Sequence, residues 1–180
     1  MRKIVVGLQM SLDGVVEAPE KWNGPYFNQE LGEVVGSLIA RGDTLLLGRI
    51  TYQTFAAAFG SQSGGMADQM NTLRKVVVST TLDRAEWQNS TLITSNVAEK
   101  IAKLKQETGK NINVCGSVTL VAWLFDHGLV DELRLLVMPV IVGRGKHLFT
   151  GDSGSVALKL VESTALSNGV LHLTYVPIAT

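Results

Sequence analysis

Leu47-Gly48-Arg49-Ile50-Thr51-Tyr52 and Val114-Cys115-Gly116-Ser117 are the two stretches that decide how this 180-residue chain folds. Each follows a run of aliphatic residues, turns at a glycine and places a hydroxyl residue where a helix begins. An apolar run of this kind suits a strand buried on both faces. The unpaired N–H groups at the start of the helix, together with its dipole, make such a junction a natural anion cradle. Glycine lets a ligand approach the backbone, Thr51 or Ser117 adds a hydroxyl donor, and Arg49 offers a charged fork to a phosphate. One Gly-Ser start alone is an ordinary helix cap, and one arginine alone an ordinary surface residue. Two cradles with an arginine, plus the hydroxyl-bearing strand end Ser79-Thr80-Thr81, point to a phosphate-bearing ligand.

Outward from these junctions the chain alternates strands and helices. Residues 4–8 read as a first strand, followed by the turn Ser11-Leu12-Asp13-Gly14 and a polar connection long enough to suggest function. Residues 28–40 predict a helix with Leu31, Val34, Val35, Leu38 and Ile39 on its inner side. Residues 43–48 form a second strand and 51–59 a short helix, with a glycine-rich polar stretch at 60–65. Strands follow at 75–79, 90–94 and 113–115, and a helix at 98–107 in which Glu99 is spaced to pair with Lys103. Ser117 caps an apolar helix that runs to about residue 127. Beyond it the pattern changes. Residues 131–142 read as one long strand through Pro139, and 158–164 with 169–176 as an antiparallel pair. Alternation followed by strands alone predicts an α/β fold, with a mostly parallel central sheet flanked by helices and antiparallel C-terminal strands. With no repeat and no linker, residues 1–180 are expected to form a single domain.

The 46% hydrophobic content is ample for a packed core, and the 18% charged content is too low for a disordered chain. Lys plus Arg and Asp plus Glu balance at 16 each, so there is no net field to attract nucleic acid or an anionic membrane, and neither is expected as a partner. The single cysteine, Cys115, excludes an intrachain disulfide and a cysteine-cluster metal site, and suits a reducing, cytoplasmic compartment. His147 and His172 lack metal-ligand spacing, so no metal is expected. No run approaches the roughly 18 apolar residues of a spanning helix, and no signal-peptide pattern opens the chain. Neither the Rossmann fingerprint nor the P-loop pattern occurs.

Taken in order, Ser11-Leu12-Asp13-Gly14, Leu47-Gly48-Arg49-Ile50-Thr51-Tyr52, Val78-Ser79-Thr80-Thr81-Leu82, Cys115-Gly116-Ser117-Val118-Thr119-Leu120 and Gly128-Leu129-Val130-Asp131-Glu132 resemble the dihydrofolate reductase-like superfamily. With Pro139-Val140-Ile141-Val142-Gly143-Arg144-Gly145 and Leu148-Phe149, the set is most similar to the riboflavin-biosynthesis reductase domain (the RibD C-terminal type) and its stand-alone relatives. The resemblance covers nearly the whole chain. It implies a dihydrofolate reductase-like fold with NADPH lying across the C-terminal edge of the sheet. Gly48, Arg49 and Thr51 are then implied to hold cofactor phosphates. Ser79 and Thr80 would lie near the adenosine ribose, with Arg49 and Thr80 reading its 2′-phosphate. Gly116, Ser117, Val118 and Thr119 would lie against the pyrophosphate, and Cys115 close to the nicotinamide. Dihydrofolate reductases have a cis Gly-Gly peptide at the corresponding place, which makes a cis Gly116–Ser117 bond an expectation here. A homodimer is implied as well, for which the run 133–142 is either the contact or a central buried strand.

The implied reaction is hydride transfer from NADPH to a flat heterocycle, a pterin or pyrimidine. Dihydrofolate reductases carry an acidic residue on the first helix, where this chain has Glu30 and Glu33. Glu33 is entered as a catalytic candidate against the commoner role of a solvated carboxylate. Asp13 is the other candidate, for substrate contact or proton relay, against an Asx-type turn before Gly14. Ser11, Trp22 and Tyr26 are the candidate substrate contacts, although the two rings serve equally well to fold the long loop onto the body. Cys115 reads as a small apolar residue rather than a nucleophile. Riboflavin-pathway reductases tend to have a lysine shortly after the Ser-Leu-Asp-Gly turn. Val15-Val16-Glu17 stands here instead, which places that pathway's ribosyl-phosphate substrate second. Zinc deamination is excluded because no His-x-Glu with a later Pro-Cys-x-x-Cys occurs. A protein that binds NADPH without turnover is the non-enzymatic alternative.

Overall fold

The computed structural model describes residues 1–150 and 154–178. Eight strands form one sheet: β1 (Ile4–Ser11), β2 (Gly42–Gly48), β3 (Arg74–Val78), β4 (Ser90–Ile93), β5 (Asn111–Val114), β6 (Glu132–Met138), β7 (Leu158–Ala165) and β8 (Leu171–Pro177). Their order is β4-β3-β2-β5-β1-β6-β8-β7. The six from β4 to β6 are parallel, and β8 and β7 add antiparallel to that edge. The described residues also form five α-helices, α1 (Gln29–Ala40), α2 (Arg49–Phe59), α3 (Gly65–Thr72), α4 (Val97–Gln106) and α5 (Val118–Asp126), and two short 3-10 turns at Pro19–Lys21 and Gly24–Tyr26. This is the expected α/β architecture.

Strand alternation explains why both faces are covered. Leu46 packs with Ile4, Val6 and Ile112 against Ile101 of α4 and Leu124 of α5. Leu45 and Leu47, its neighbours, point the other way, against Tyr52 of α2 and Met70 of α3. A third cluster joins Leu31 of α1 to Leu136 and Met138 of β6. The helix starts follow the capping chemistry: the Asn28 side chain accepts from Leu31 N at 2.9 Å, and Ser117 Oγ accepts from Leu120 N. Glu99 and Lys103 pair at 2.8 Å along α4.

The structure departs from the sequence reading in several places, and β1 runs on past residue 8 to Ser11 while β5 begins at Asn111. β6 stops at Met138 instead of continuing to residue 142, because Pro139 has no N–H to give the ladder. Val140 N turns back onto Met138 O, and Leu12 N donates to Val140 O, so the chain leaves the sheet. With β1 on one side and β8 on the other, β6 is the central buried strand of the two alternatives. α2 begins at Arg49, two residues before Thr51. α3 was not foreseen. One polar group is enclosed beside it: Lys75 is fully buried, with Nζ donating to Asn71 O and Gln88 O and lying 4.1 Å from the Trp87 ring. Burial pushes that ammonium down to about 8. No helix among the described residues is long and apolar enough to cross a membrane.

Candidate functional site

The C-terminal ends of β2, β5 and β1 lie side by side because the three strands are parallel neighbours. That geometry brings the two cradles together. Gly48 N donates to Gly116 O at 3.1 Å, and the Gly116–Ser117 peptide is cis. Neither glycine tolerates a side chain. A Cβ on Gly48 would sit 3.0 Å from Ser117 N, and one on Gly116, whose φ is +131°, would lie 2.6 Å from Thr51 Oγ1. The starts of α2 and α5 therefore abut.

These two helix starts are unlike in one respect. Ser117 supplies a capping oxygen to α5, whereas Gly48 gives α2 none. The first N–H groups of α2 therefore have neither an intrahelical partner nor a side-chain cap, the condition that favours an anion there. Arg49 stands exposed at the same point, its only side-chain hydrogen bond among the described residues a 3.5 Å contact to Gln53 Oε1. On the next strand, Ser79 is buried and its Oγ accepts from Thr81 N and Leu82 N at 3.2 and 3.0 Å, while Thr80 is exposed.

Below the cradles opens a cleft of about 1190 Å³, floored by β1, β5 and β6 and walled by α1 and α2. Of the residues singled out from sequence, Thr51, Cys115, Gly116, Ser117, Val118, Thr119 and Trp22 line it. Burial pushes the Cys115 thiol up to about 11, so it is neutral and not a nucleophile at ordinary pH. No group of three or more His, Cys, Asp or Glu side chains among the described residues is placed to hold a metal.

The substrate-side expectations fare differently. Glu33 lies exposed on α1, accepting from Gln29 Nε2, because Leu31 and Ile39 set the inner stripe of that helix. Glu33 is not among the residues that line the cleft. Glu30 is engaged by Ser167 and ties α1 to the β7–β8 turn. Asp13 accepts from Ser11 Oγ, Val142 N and Gly143 N, and these donors hold its carboxyl down to about 2. It clamps the segment after β6 through the Val142 and Gly143 amides. Ser11 is fully buried, its hydroxyl donating to Asp13 and accepting from Val15 N. Tyr26 donates to Pro139 O at 3.2 Å and packs with α1, folding the long loop onto the body rather than lining the cleft. Trp22 does both: its Nε1 donates to Glu17 O and the residue lines the cleft. Val15 and Val16, at the place of the missing lysine, are buried.

Two parts of the cleft went unseen in the sequence. The far wall is apolar, formed by Phe55 and Phe59 of α2 with Met66 and Met70 of α3. The floor carries Arg134, which lies within the run 133–142 and was not singled out there. A charge at a period-two position of a buried strand is the signal that would have exposed it.

The mostly parallel eight-stranded sheet with antiparallel C-terminal strands and flanking helices is a dihydrofolate reductase-like α/β fold. The dihydrofolate reductase of Enterococcus faecalis, solved as a complex with NADP(H), superposes with a TM-score of 0.65 at 16% identity, over 97% of this chain and 96% of that one. A putative riboflavin biosynthesis protein from Shewanella superposes with a TM-score of 0.79 at 20% identity, over 98% of this chain and 99% of the other. Residues 2–172 match the RibD C-terminal domain family, and the chain belongs to that family. It is also 28% identical over 183 residues to the uncharacterized protein YyaP of Bacillus subtilis, spanning 97% of this chain and 94% of that protein.

Proposed function

We propose that this protein is an NADPH-dependent reductase that transfers hydride to a flat heterocycle of the pterin or pyrimidine class. The observation that carries it is the uncapped start of α2 abutting the start of α5 through Gly48 and Gly116, directly above a cleft of about 1190 Å³. The residues present fit the cofactor: two glycines whose lack of a Cβ lets the starts of α2 and α5 meet at Ser117 and Thr51, unpaired N–H groups and an exposed guanidinium. Gly48, Thr51, Gly116, Ser117, Val118 and Thr119 hold the phosphates. Arg49, Ser79 and Thr80 take the adenosine end, and Cys115 lies against the nicotinamide. When bound, NADPH supplies the hydride; the chain supplies alignment of two rings and a cleft that limits water.

Purified protein mixed with NADPH and a panel of dihydropterins and pyrimidines is expected to consume the reduced-nicotinamide absorbance with at least one of them. Heat protection by NADPH without turnover of any acceptor supports the binding-only reading, which the engagement of Asp13 and Glu33 elsewhere favours. Neither protection nor turnover overturns both. The buried Val15 and Val16 leave the riboflavin-pathway substrate as the second choice, since no lysine can reach a substrate phosphate from there.

The proposed location is cytoplasmic, where a lone thiol stays reduced. The proposed partner is a second copy, docking on the exposed edge strand β7, where Leu160 and Val161 are about half exposed, at 47% and 51%. Sedimentation at micromolar concentration is expected to give a dimer; a monomer removes this part of the reading.

A further inference from the structure

All seven residues of β6 are buried, yet two of them, Glu132 and Arg134, carry opposite charges. Strand alternation puts both on the α1 side of the sheet, in line with Leu136 and Met138, while Leu133, Leu135 and Val137 face α4 and α5. Arg134 Nε donates to Glu132 Oε1, and Lys3 Nζ stands 3.9 Å from the same carboxylate. A buried ion pair in such a place is seldom worth more than well-packed apolar residues. Stability therefore gives no reason for it.

The neighbours of Arg134 show where it reaches. On one side its register partner is Gly7 of β1, and a Cβ built on Gly7 meets nothing within 4 Å. The missing side chain opens the floor beside the guanidinium, and both residues line the cleft. On the other side the partner is Thr174 of β8, whose buried Oγ1 has no hydrogen-bond partner, as is also true of Nε2 of nearby His172. Among the described residues no acceptor bonds the two terminal nitrogens of Arg134, although its side chain is only 8% exposed. Glu132 lies near two cations, Arg134 and Lys3, and of these three residues only Arg134 lines the cleft.

We propose that Arg134 is the substrate-recognition residue of this cleft, binding with its terminal nitrogens a planar heterocycle that carries an anionic oxygen pair, of which a carboxylate is the simplest. Buried guanidinium with an open Nη edge is suited to such a pair, because two parallel N–H···O bonds form in one plane. This rests on the reductase reading of the same cleft.

The test titrates the NADPH-loaded protein by calorimetry with pterin-6-carboxylate and its neutral counterpart 6-methylpterin, and likewise with orotate and uracil. The wild type is expected to prefer the acid of at least one pair by about tenfold or more, which also identifies the ring. Arg134→Gln abolishes that preference, and Arg134→Lys keeps only part of it. The double variant Glu132→Leu with Arg134→Met, which replaces the ion pair by apolar residues, folds and also lacks it. A preference that survives in Arg134→Gln or in the double variant overturns the proposal, and so does a wild type that favours neither acid. NADPH affinity is measured separately on every variant and is expected to stay within about twofold. A chain that binds NADPH but shows no acid preference sinks this inference alone. A chain that does not bind NADPH sinks the cofactor reading, and the acid preference is then read on the protein without it.

Discussion

Gly116→Ala is expected to weaken NADPH binding by a factor on the order of 100 or more, the largest effect of any single methyl group in the chain. Two physical costs meet at this residue. Its φ of +131° lies where a side chain is strained, at about 1–3 kcal/mol. The new Cβ would also sit 2.6 Å from Thr51 Oγ1, and an overpacked contact of this kind costs roughly 1–3 kcal/mol more. Relief comes by turning the Thr51 hydroxyl away or by moving the starts of α2 and α5 apart, and either change disturbs the junction at which Gly48 N is hydrogen-bonded to Gly116 O. The N–H groups that converge on one diphosphate then no longer converge, and each charge-assisted bond lost costs about 1.5–3 kcal/mol. Gly36→Ala is the matched control. Its Cβ meets nothing within 4 Å in the middle of α1, so the same substitution there is expected to stabilise by about 0.5–1 kcal/mol. Fluorescence titration with NADPH and a thermal melt on both variants read the outcome. Binding by Gly116→Ala within a few-fold of the wild type would show that the cofactor does not sit on this cradle.

How far the sequence foretold this site depends on whether its determinants are local. Leu45-Leu46-Leu47 announces a strand buried on both faces because each residue needs an apolar partner on its own side, and the three do find them. Ser117 announces a helix start through a bond to a residue three positions on. The glycines at 48 and 116 were legible for the same reason. Asp13 was not, since two of its three clamping donors come from residues 129 and 130 positions away, and nothing near it in sequence reveals them. The placement of Glu33 away from the cleft was not legible either, since the inner face of α1 is set by Leu31 and Ile39. α3 escaped because only Ala67 and Met70 among its eight residues are buried apolar groups, too few to make a periodic stripe. Pro139 was the visible sign that β6 ends early, and the aliphatic run before it masked that sign as it masked Arg134.

Arg49→Ala is expected to weaken NADPH by about tenfold to a hundredfold while leaving NADH within about twofold, the range of one charge-assisted bond to a phosphate. The guanidinium is exposed at the start of α2, held only by a 3.5 Å contact to Gln53 Oε1, and no carboxylate pairs with it among the described residues. Removing it should therefore cost little stability, within about 0.5 kcal/mol for an exposed side chain. Any change in cofactor affinity then reports a lost ligand contact rather than a damaged fold. Only NADPH carries a phosphate on the adenosine ribose, so an arginine that reads this group must discriminate between the two cofactors, whereas one on the diphosphate cannot. Salt provides an independent reading. An exposed charge pair is screened over a Debye length of about 8–10 Å at physiological ionic strength, so the wild type's preference for NADPH should shrink as salt rises, and the preference of Arg49→Ala should not. Arg49→Lys keeps the charge but not the planar fork and should fall between the two. Equal losses for NADPH and NADH would move Arg49 from the ribose phosphate to the diphosphate, and no loss for either would take it out of the cofactor site altogether.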